Sequence, residues 1–184
     1  MPFLFEKTEL EGVVHIQPRI FSDSRGFFLE TFKQSDFIQA GINENFVQSN
    51  FSHSTQDTLR GLHFQKNPSA QGKLVLALAG VIFDVAIDVR KSSPTFGKWV
   101  SRTLSAEKRN MLYIPAGFAH GFCVLSDTAD VMYCCTREYA PRDEAGIIWN
   151  DPQIAVTWPV SAPLLSEKDT RLPLLAHADN NFIY

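Results

Sequence analysis

Residues 59–65, with the sequence LRGLHFQ, place two titratable side chains inside an otherwise apolar, strand-like run. Arg60 and His63 point to opposite faces of a regular strand unless Gly61 forms a bulge, which a glycine permits. Imidazole titrates near neutral pH, which makes His63 a candidate general base. The alternative is a core histidine that donates to a carbonyl, beside an exposed arginine.

A lysine and a second histidine lie at the start of other strand-like runs. Lys73 follows Gly72 and opens a run rich in Val, Leu and Ala. An ammonium group turned inward there would be a fixed positive charge able to stabilise a developing oxyanion, whereas the alternative is a solvated lysine. Residues 114–122 read IPAGFAHGF, in which Pro and Gly predict a turn that sets the ring of His120 at the entry to a strand.

Other polar side chains could act around a sugar or a nucleotide. Tyr133 is either a core residue or, if it opens into a polar cavity, a proton donor. Glu144 lies in a polar, aromatic loop, and Lys168 with Asp169 by itself predicts only a helix surface. Guanidinium groups bind phosphate and amides bind bases. Either nucleotide binding or an ordinary solvent face therefore suits a further set of residues: Arg25, Glu30, Gln48, Ser49 and Asn50.

Hydrophobicity alternates with a period of two along most of the chain, which predicts β-strands. The expected strands are 13–16, 27–32, two strands around Gly80 within 74–89, 96–104, 111–114, 121–125 and 131–136. One short helix is predicted over 35–40, capped by Ser35, and another near 166–170. Many short strands separated by turn residues predict an antiparallel sandwich or barrel. Without a linker-like shift in composition, residues 1–184 are expected to form a single domain.

Composition excludes several classes of function. The chain has 184 residues, 45% of them hydrophobic, and a net charge of −3. With a pI near 5.9 and no long basic run, nucleic acid is not expected as a partner. No stretch approaches the roughly 18–20 apolar residues of a membrane span, and no secretory signal is expected at the N-terminus. Three cysteines without Cys-x-x-Cys spacing predict reduced thiols and a cytoplasmic protein.

The Pro-x-Gly-x-x-His pattern of residues 115–120 resembles the second half-motif of the cupin superfamily, a double-stranded β-helix or jelly roll. Metal-binding cupins carry a His-x-His pair and a carboxylate in the first half-motif. The corresponding segment here is His63-Phe64-Gln65, which lacks the second histidine. Two histidines without that pair are a poor match to a transition-metal site, so a metal-dependent reaction is a disfavoured alternative.

Six ordered motifs extend the resemblance over nearly the whole chain. They are RGFF-x-E at 25–30, LRGLHFQ at 59–65, QGKLV at 71–75, FDVA-x-D-x-R-x-SSPTFGKW at 83–99, IP-x-GFAHGF at 114–122 and LS-x-KD at 165–169. Together they resemble the dTDP-4-dehydrorhamnose 3,5-epimerase family. The resemblance implies an all-β, cupin-like jelly roll with extended N-terminal strands and short C-terminal helices. It also implies an isomerase of dTDP-rhamnose biosynthesis without metal or other cofactor, and a homodimer that exchanges an N-terminal strand.

The resemblance assigns roles to individual residues. His63 matches the general base, Asp169 the carboxylate that orients it, Tyr133 the proton donor and Lys73 the residue that stabilises the enolate. Matches to positions that bind the dTDP-sugar are Arg25, Glu30, Gln48, Asn50, Arg60, His120, Glu144 and Lys168. Ser49 is expected among them although the family often has Asp there, because serine keeps hydrogen bonding but drops a charge.

The catalytic set fits inversion at C3 and C5 of dTDP-4-keto-6-deoxyglucose, because both hydrogens are α to the C4 ketone and therefore acidic. Two alternatives remain. One is an epimerase on the same scaffold that acts at C3 only or at C5 only. The other is a non-catalytic cupin that binds a nucleotide-sugar, although binding alone needs no base, acid and enolate stabiliser together.

Overall fold

The computed structural model describes residues 2–184, where thirteen β-strands form most of the regular structure. In chain order they are β1 (Phe3–Lys7), β2 (Val14–Pro18), β3 (Phe21–Asp23), β4 (Gly26–Phe28), β5 (Gln48–Thr55), β6 (Leu59–Gln65), β7 (Lys73–Ala79), β8 (Val81–Asp88), β9 (Trp99–Ser105), β10 (Met111–Ile114), β11 (Phe118–Val124), β12 (Thr128–Cys135) and β13 (Glu144–Gly146). Helix α1 (Gln34–Gln39) precedes β5, and short 3₁₀ helices cover Asp169–Arg171 and Leu175–His177. The all-β prediction is confirmed.

Two antiparallel sheets face each other. The six-stranded sheet has the order β1-β2-β10-β7-β12-β5, and the five-stranded sheet has the order β13-β6-β11-β8-β9. Their inner faces share an apolar core, to which Val75 and Val131 contribute from the first sheet and Ala86 and Phe122 from the second. The arrangement is the predicted cupin-like β-sandwich.

The N-terminal segment covers the outer face of the six-stranded sheet. Phe37 of α1 is fully buried there and packs edge-on against Phe3 and Phe5 of β1. These aromatic contacts belong to a second apolar cluster that also contains Leu74 and Met111 of the sheet. Burying large flat side chains on both faces of this sheet stabilises it, since each aromatic removes a large apolar area from water.

Several predicted boundaries were wrong. Helix α1 begins at Gln34 because the Lys33 carbonyl accepts its first backbone hydrogen bonds, so Ser35 does not cap it. The strand predicted over 27–32 ends at Phe28, which pairs with Phe21, the first residue of its antiparallel partner β3. The strand predicted over 96–104 starts at Trp99, because residues 93–98 form a turn around the Asp88 carboxylate. The helix predicted near 166–170 is a single 3₁₀ turn that starts at Asp169.

Sequence periodicity did not predict β5 or β13. Strand β5 reads QSNFSHST, and its polar composition hides the alternation between its two faces. Strand β13 lies in the segment predicted as a polar loop and is only three residues long. Both strands are sheet edges, where fewer apolar residues are buried and the sequence signal is weak. No helix within residues 2–184 is long and apolar enough to cross a membrane.

Candidate active site

A cavity of about 450 Å³ opens between the two sheets. One wall comes from β6 and β11 of the five-stranded sheet, which contribute Arg60, His63 and His120. The opposite wall comes from β7 and β12 of the six-stranded sheet, which contribute Lys73 and Tyr133. The C-terminal segment 164–169 closes the side of the cavity. Residues far apart in sequence therefore surround one space from two directions.

His63 pairs with the buried carboxylate of Asp169. The His63 Nε2 and Asp169 Oδ1 atoms are 2.6 Å apart, and the Ser166 hydroxyl accepts the backbone N–H of Asp169. Burial by itself raises the pKa of the Asp169 carboxyl, but the hydrogen bond and charge of His63 outweigh burial and lower it. The carboxylate therefore stays ionised, fixes the imidazole orientation and stabilises an imidazolium.

A bulge at Gly61 turns Arg60 and His63 toward the same cavity. The β6–β11 register shifts between His120 and Phe122, opposite this point. Gly61 has a φ of +127°, and a Cβ there would lie 2.6 Å from the Cα of Gly121. Only glycine fits this conformation and this close approach of two strands. From the sequence, both side chains share one face only if Gly61 forms a bulge, and the bulge is present.

His120 sits directly across the β6–β11 ladder from His63 and pairs with a carboxylate of its own. Its Nε2 atom is 2.7 Å from Oδ1 of Asp84, which is completely buried on β8. Burial lowers the pKa of the His120 imidazole, and the Asp84 carboxylate opposes that effect. Sequence reasoning did not assign Asp84 to the site. The available signal was a carboxylate in the middle of the apolar strand VIFDVAID.

Lys73 and Tyr133 face these histidines from the other sheet. Lys73 is the cross-strand partner of Cys135 on β12, and Tyr133 is the partner of Val75 on β7, so both side chains share the inner face. Burial lowers the pKa of the Lys73 ammonium, while the neighbouring Cys135, Asp84 and Glu144 oppose it. Burial also raises the pKa of the Tyr133 phenol, which keeps that hydroxyl protonated as a donor.

A second cavity of about 310 Å³ continues from the first, with His63, Lys73 and Tyr133 common to both. Its outer wall includes Tyr139 and Glu144. The Tyr139 hydroxyl donates to Glu144 Oε2 at 2.7 Å, and Lys168 forms an ion pair with the other carboxylate oxygen. Burial by itself raises the pKa of Glu144, but the hydrogen bonds from Lys168 and Tyr139 outweigh it and lower that pKa. The two cavities form one elongated cleft.

The structure brings most of the predicted binding residues to this cleft. Those that line one of the two cavities are Gln48, Asn50, Arg60, His120, Glu144 and Lys168. Gln48 and Asn50 are the cross-strand partners of Cys135 and Tyr133, so they share the inner face. This placement follows from the period of two along β5, which the sequence alone did not reveal as a strand.

Three predicted binding residues lie elsewhere in the chain. Ser49 alternates to the outer face of β5, where its hydroxyl meets the Cys134 thiol at 3.8 Å. Arg25 lies at the β3–β4 turn, with its side chain 88% exposed and bound to Asp23. Glu30 lines a separate cavity on the N-terminal segment. Ser49 therefore faces away from the cleft of its own chain, because adjacent residues of a strand face opposite sides, and its part in binding stays a prediction.

Within the described chain, no three His, Cys, Asp or Glu side chains converge as a set of metal ligands. The cleft instead sets a histidine–carboxylate pair opposite a half-buried lysine and a protonated tyrosine. A cupin-like β-sandwich with this cleft has the equipment of an acid–base isomerase, with a base on one wall and a proton donor on the other.

Comparisons with known proteins identify the family. The family model described as dTDP-4-dehydrorhamnose 3,5-epimerase matches residues 7–177. The enzyme of that name from Shigella flexneri is 53% identical over 174 residues, covering 94% of this chain and 96% of the relative. The chain belongs to the dTDP-4-dehydrorhamnose 3,5-epimerase family.

Solved structures agree with this assignment. The 3,5-epimerase of Legionella pneumophila, in complex with dTDP-4-keto-L-rhamnose, superposes with a TM-score of 0.92 at 46% identity, covering 95% of this chain and 94% of that one. A 3'-monoepimerase from Streptomyces bikiniensis, in complex with dTDP-quinovose, superposes with a TM-score of 0.86 at 36% identity, covering 92% of this chain and 86% of that one. The sandwich thus occurs in epimerases that differ in outcome.

Proposed function

We propose that this protein inverts C3 and C5 of dTDP-4-keto-6-deoxyglucose and so produces dTDP-4-keto-L-rhamnose. The observation that carries the proposal is one cleft with the His63–Asp169 pair on one side and Lys73 and Tyr133 on the other. Each inversion removes a proton α to the C4 ketone and returns one to the opposite face. A base and an acid on opposite walls supply these two steps without moving the sugar.

His63 is the base in this mechanism. It is a quarter exposed, and it reaches the cleft while Asp169, nearly completely buried, holds its Nε2. The other ring nitrogen is then the one available to accept a proton from the sugar, first at one carbon and then at the other. A carboxylate partner of this kind stabilises the imidazolium by about 1.5–3 kcal/mol, the range for hydrogen bonds to charged groups.

Lys73 stabilises the enolate, and Tyr133 returns the proton. Removing an α-proton places negative charge on the C4 oxygen, and the Lys73 ammonium is a half-buried positive charge that faces the same space as His63. A fixed charge in a poorly hydrated site stabilises such an oxyanion far better than water does. Proton transfer of this kind moves no electrons to a carrier, so the proposal includes no redox cofactor, and it assigns stabilisation of the enolate to Lys73 in place of a metal ion.

Substrate recognition follows from the remaining side chains of the cleft. Arg60 and His120 border the main cavity and can bind the diphosphate. Gln48, Asn50, Glu144 and the Tyr139 ring border the second cavity and can bind the nucleoside. The Legionella relative, crystallised with dTDP-4-keto-L-rhamnose, supports a dTDP-sugar as the ligand.

Tyr133→Phe should separate deprotonation from inversion. His63 and Lys73 remain intact in this variant, so it should still exchange substrate hydrogens with solvent at an appreciable rate. Inverted product should form at least tenfold more slowly, because general-acid catalysis typically contributes about 10²–10⁴-fold. Deuterium incorporation and product configuration are followed together by NMR. Wild-type rates of inversion would remove Tyr133 from the mechanism.

We propose further that the functional form is a homodimer in which the N-terminal segment of each chain completes the site of the other. Arg25 and Glu30 resemble family residues that bind substrate, yet neither lines the cleft of its own chain. Phe27 and Phe28, beside Arg25, are 54% and 66% exposed. Adjacent exposed phenylalanines are typical of a surface that a partner covers. Docking this hairpin against a second copy would bury them and deliver Arg25.

Subunit complementation tests this dimer directly. Arg25→Ala and His63→Ala should each be nearly inactive alone, because each lacks one part of every site. Mixed after unfolding and refolding together, they should regain about a quarter of wild-type activity, since random pairing makes half the dimers mixed and half their sites complete. A mixture no more active than its components would contradict the proposal that Arg25 of one chain and His63 of the other form one site.

The overall reaction is tested by turnover. Purified protein and dTDP-4-keto-6-deoxyglucose are coupled to a downstream 4-keto reductase, and the rhamnose configuration of the trapped sugar is established by NMR. A trapped product inverted at both carbons supports the proposal. A product inverted at one carbon would select the single-carbon epimerase, and binding without turnover would select a binding protein.

A further inference from the structure

Gln65 is a buried amide whose hydrogen bonds all go to two loops beside the cleft. It ends β6, two residues after His63, and only 4% of its surface is exposed. Its Nε2 donates to the carbonyls of Ser69 at 2.7 Å and Glu138 at 3.2 Å. Its Oε1 accepts the backbone N–H of Ala140 at 2.7 Å. Both amide protons and the amide oxygen are therefore used.

These bonds require an amide at position 65. Two of the partners are carbonyls, which only accept, and the third is an N–H, which only donates, so the orientation of the amide is determined by its surroundings. A carboxylate would turn an oxygen toward two carbonyl oxygens. A thioether or alkyl side chain would remove the hydrogen bonds of three partly buried backbone groups, which costs free energy. The position is built for glutamine.

The segment that Gln65 holds is the outer wall of the second cavity. Tyr139 lies between the two backbone groups bound by Gln65 and presents its ring and hydroxyl beside Glu144. The same segment is held at the Tyr139 N–H, which donates to Oε1 of Gln48. Gln65 itself also pairs across the ladder with Glu144. The Gln65 amide thus holds Tyr139 and Glu144 in position relative to β6, the strand that contains His63.

We infer that Gln65 is a positioning residue for nucleotide binding, which acts by holding the 138–144 segment against β6 so that Tyr139 and Glu144 meet the nucleoside. The inference rests on the proposed function. Gln65 occupies the place where metal-binding cupins carry the second histidine of their pair, and here the amide serves the loop. Catalysis at the sugar depends on His63, Lys73 and Tyr133, none of which Gln65 contacts by hydrogen bond.

The test measures KM, kcat and dTDP affinity for Gln65→Met and Gln65→Glu. Both variants should raise KM and the dTDP dissociation constant about tenfold or more while kcat stays within about threefold. Groups that bind the nucleoside hold the substrate and the transition state equally, so their loss raises KM and leaves kcat nearly unchanged. Gln17→Met is the matched control. It also removes a 2.7 Å bond from a glutamine amide to a carbonyl, that of Lys108, but it lies outside both cavities and should leave all three constants unchanged.

A double-mutant cycle distinguishes positioning from a general loss of structure. If Gln65 acts through the loop, the fold-increases in KM caused by Gln65→Met and Tyr139→Phe should not multiply in the double variant. The double variant should instead have nearly the KM of the worse single variant. Multiplicative effects, an unchanged KM, or a fall in kcat at constant KM would each overturn the inference. If Gln65→Met does not fold, Gln65→Glu enters the cycle instead. Wild-type protein that neither binds dTDP nor turns over would refute the proposed function instead.

Discussion

Replacing His63 by alanine should abolish hydrogen exchange at both C3 and C5. His63 is the imidazole that reaches the cleft with a buried carboxylate fixing its ring, and the second histidine, His120, points its Nε2 at Asp84. Loss of a general base typically costs 10²–10⁴-fold, and here one base serves two carbons, so both signals should persist together. Exchange is measured by NMR in deuterium oxide at equal concentrations of wild type and variant.

Nucleotide binding provides the control for this variant. His63 is placed at the sugar, so dTDP should bind to His63→Ala with an affinity within a few-fold of the wild-type value. Asp169→Asn should retain the fold but lower exchange, because an amide cannot stabilise the imidazolium as the carboxylate does. Wild-type exchange by His63→Ala would contradict the assignment of the base, and loss at one carbon only would require a second base for the other.

Lys73→Met should lower kcat by about a hundred- to a thousandfold, the usual cost of removing one electrostatic donor to an oxyanion. Methionine keeps the length and apolar stem of the side chain but removes its charge, and the cavity wall should therefore persist. Lys98→Met, which removes an exposed lysine outside both cavities, is the matched control and should be indistinguishable from wild type. A Lys73→Met enzyme with a wild-type kcat would exclude the ammonium from enolate stabilisation.

The same lysine predicts the alkaline limb of the pH profile. Burial lowers the pKa of Lys73 below the ordinary lysine value of 10.5. The active form is the ammonium, and a lowered pKa means that this form is lost as pH rises through that value. As the pH is raised, the rate should therefore begin to fall before pH 10.5 is reached. This alkaline limb should be missing from the residual activity of Lys73→Met. An identical alkaline limb in both proteins would assign it to another group.

The sequence predicted the strands best where alternating hydrophobicity is clear and the strand lies inside a sheet. Alternation along β7 and β12 predicts strands, and two antiparallel partners of known register put Lys73 and Tyr133 on one face. The Gly61 bulge could be anticipated only as a condition, because the close contact that requires glycine at this position is with Gly121 on another strand. Roles for the catalytic residues came from the family resemblance and not from the strand pattern.

Other features depended on contacts that no local pattern encodes. Asp84 reads as one polar residue in a strand until the fold places it against His120. The two sides of β5 separate Ser49 from Gln48 and Asn50, but a strand made mainly of polar residues gives no hydrophobic alternation from which to assign those sides. Arg25 matches a binding residue by motif, and its position away from the cleft follows from how the β3–β4 hairpin lies in a single chain.

The central claim is that one cleft deprotonates two carbons α to the same ketone. Proton NMR of dTDP-4-keto-6-deoxyglucose with the purified protein in deuterium oxide, with chelator present and no metal added, tests it most directly. Both the C3 and the C5 proton signals should be lost, and the doubly inverted sugar should be recovered after reduction. Retention of both signals at enzyme concentrations that bind dTDP would contradict it.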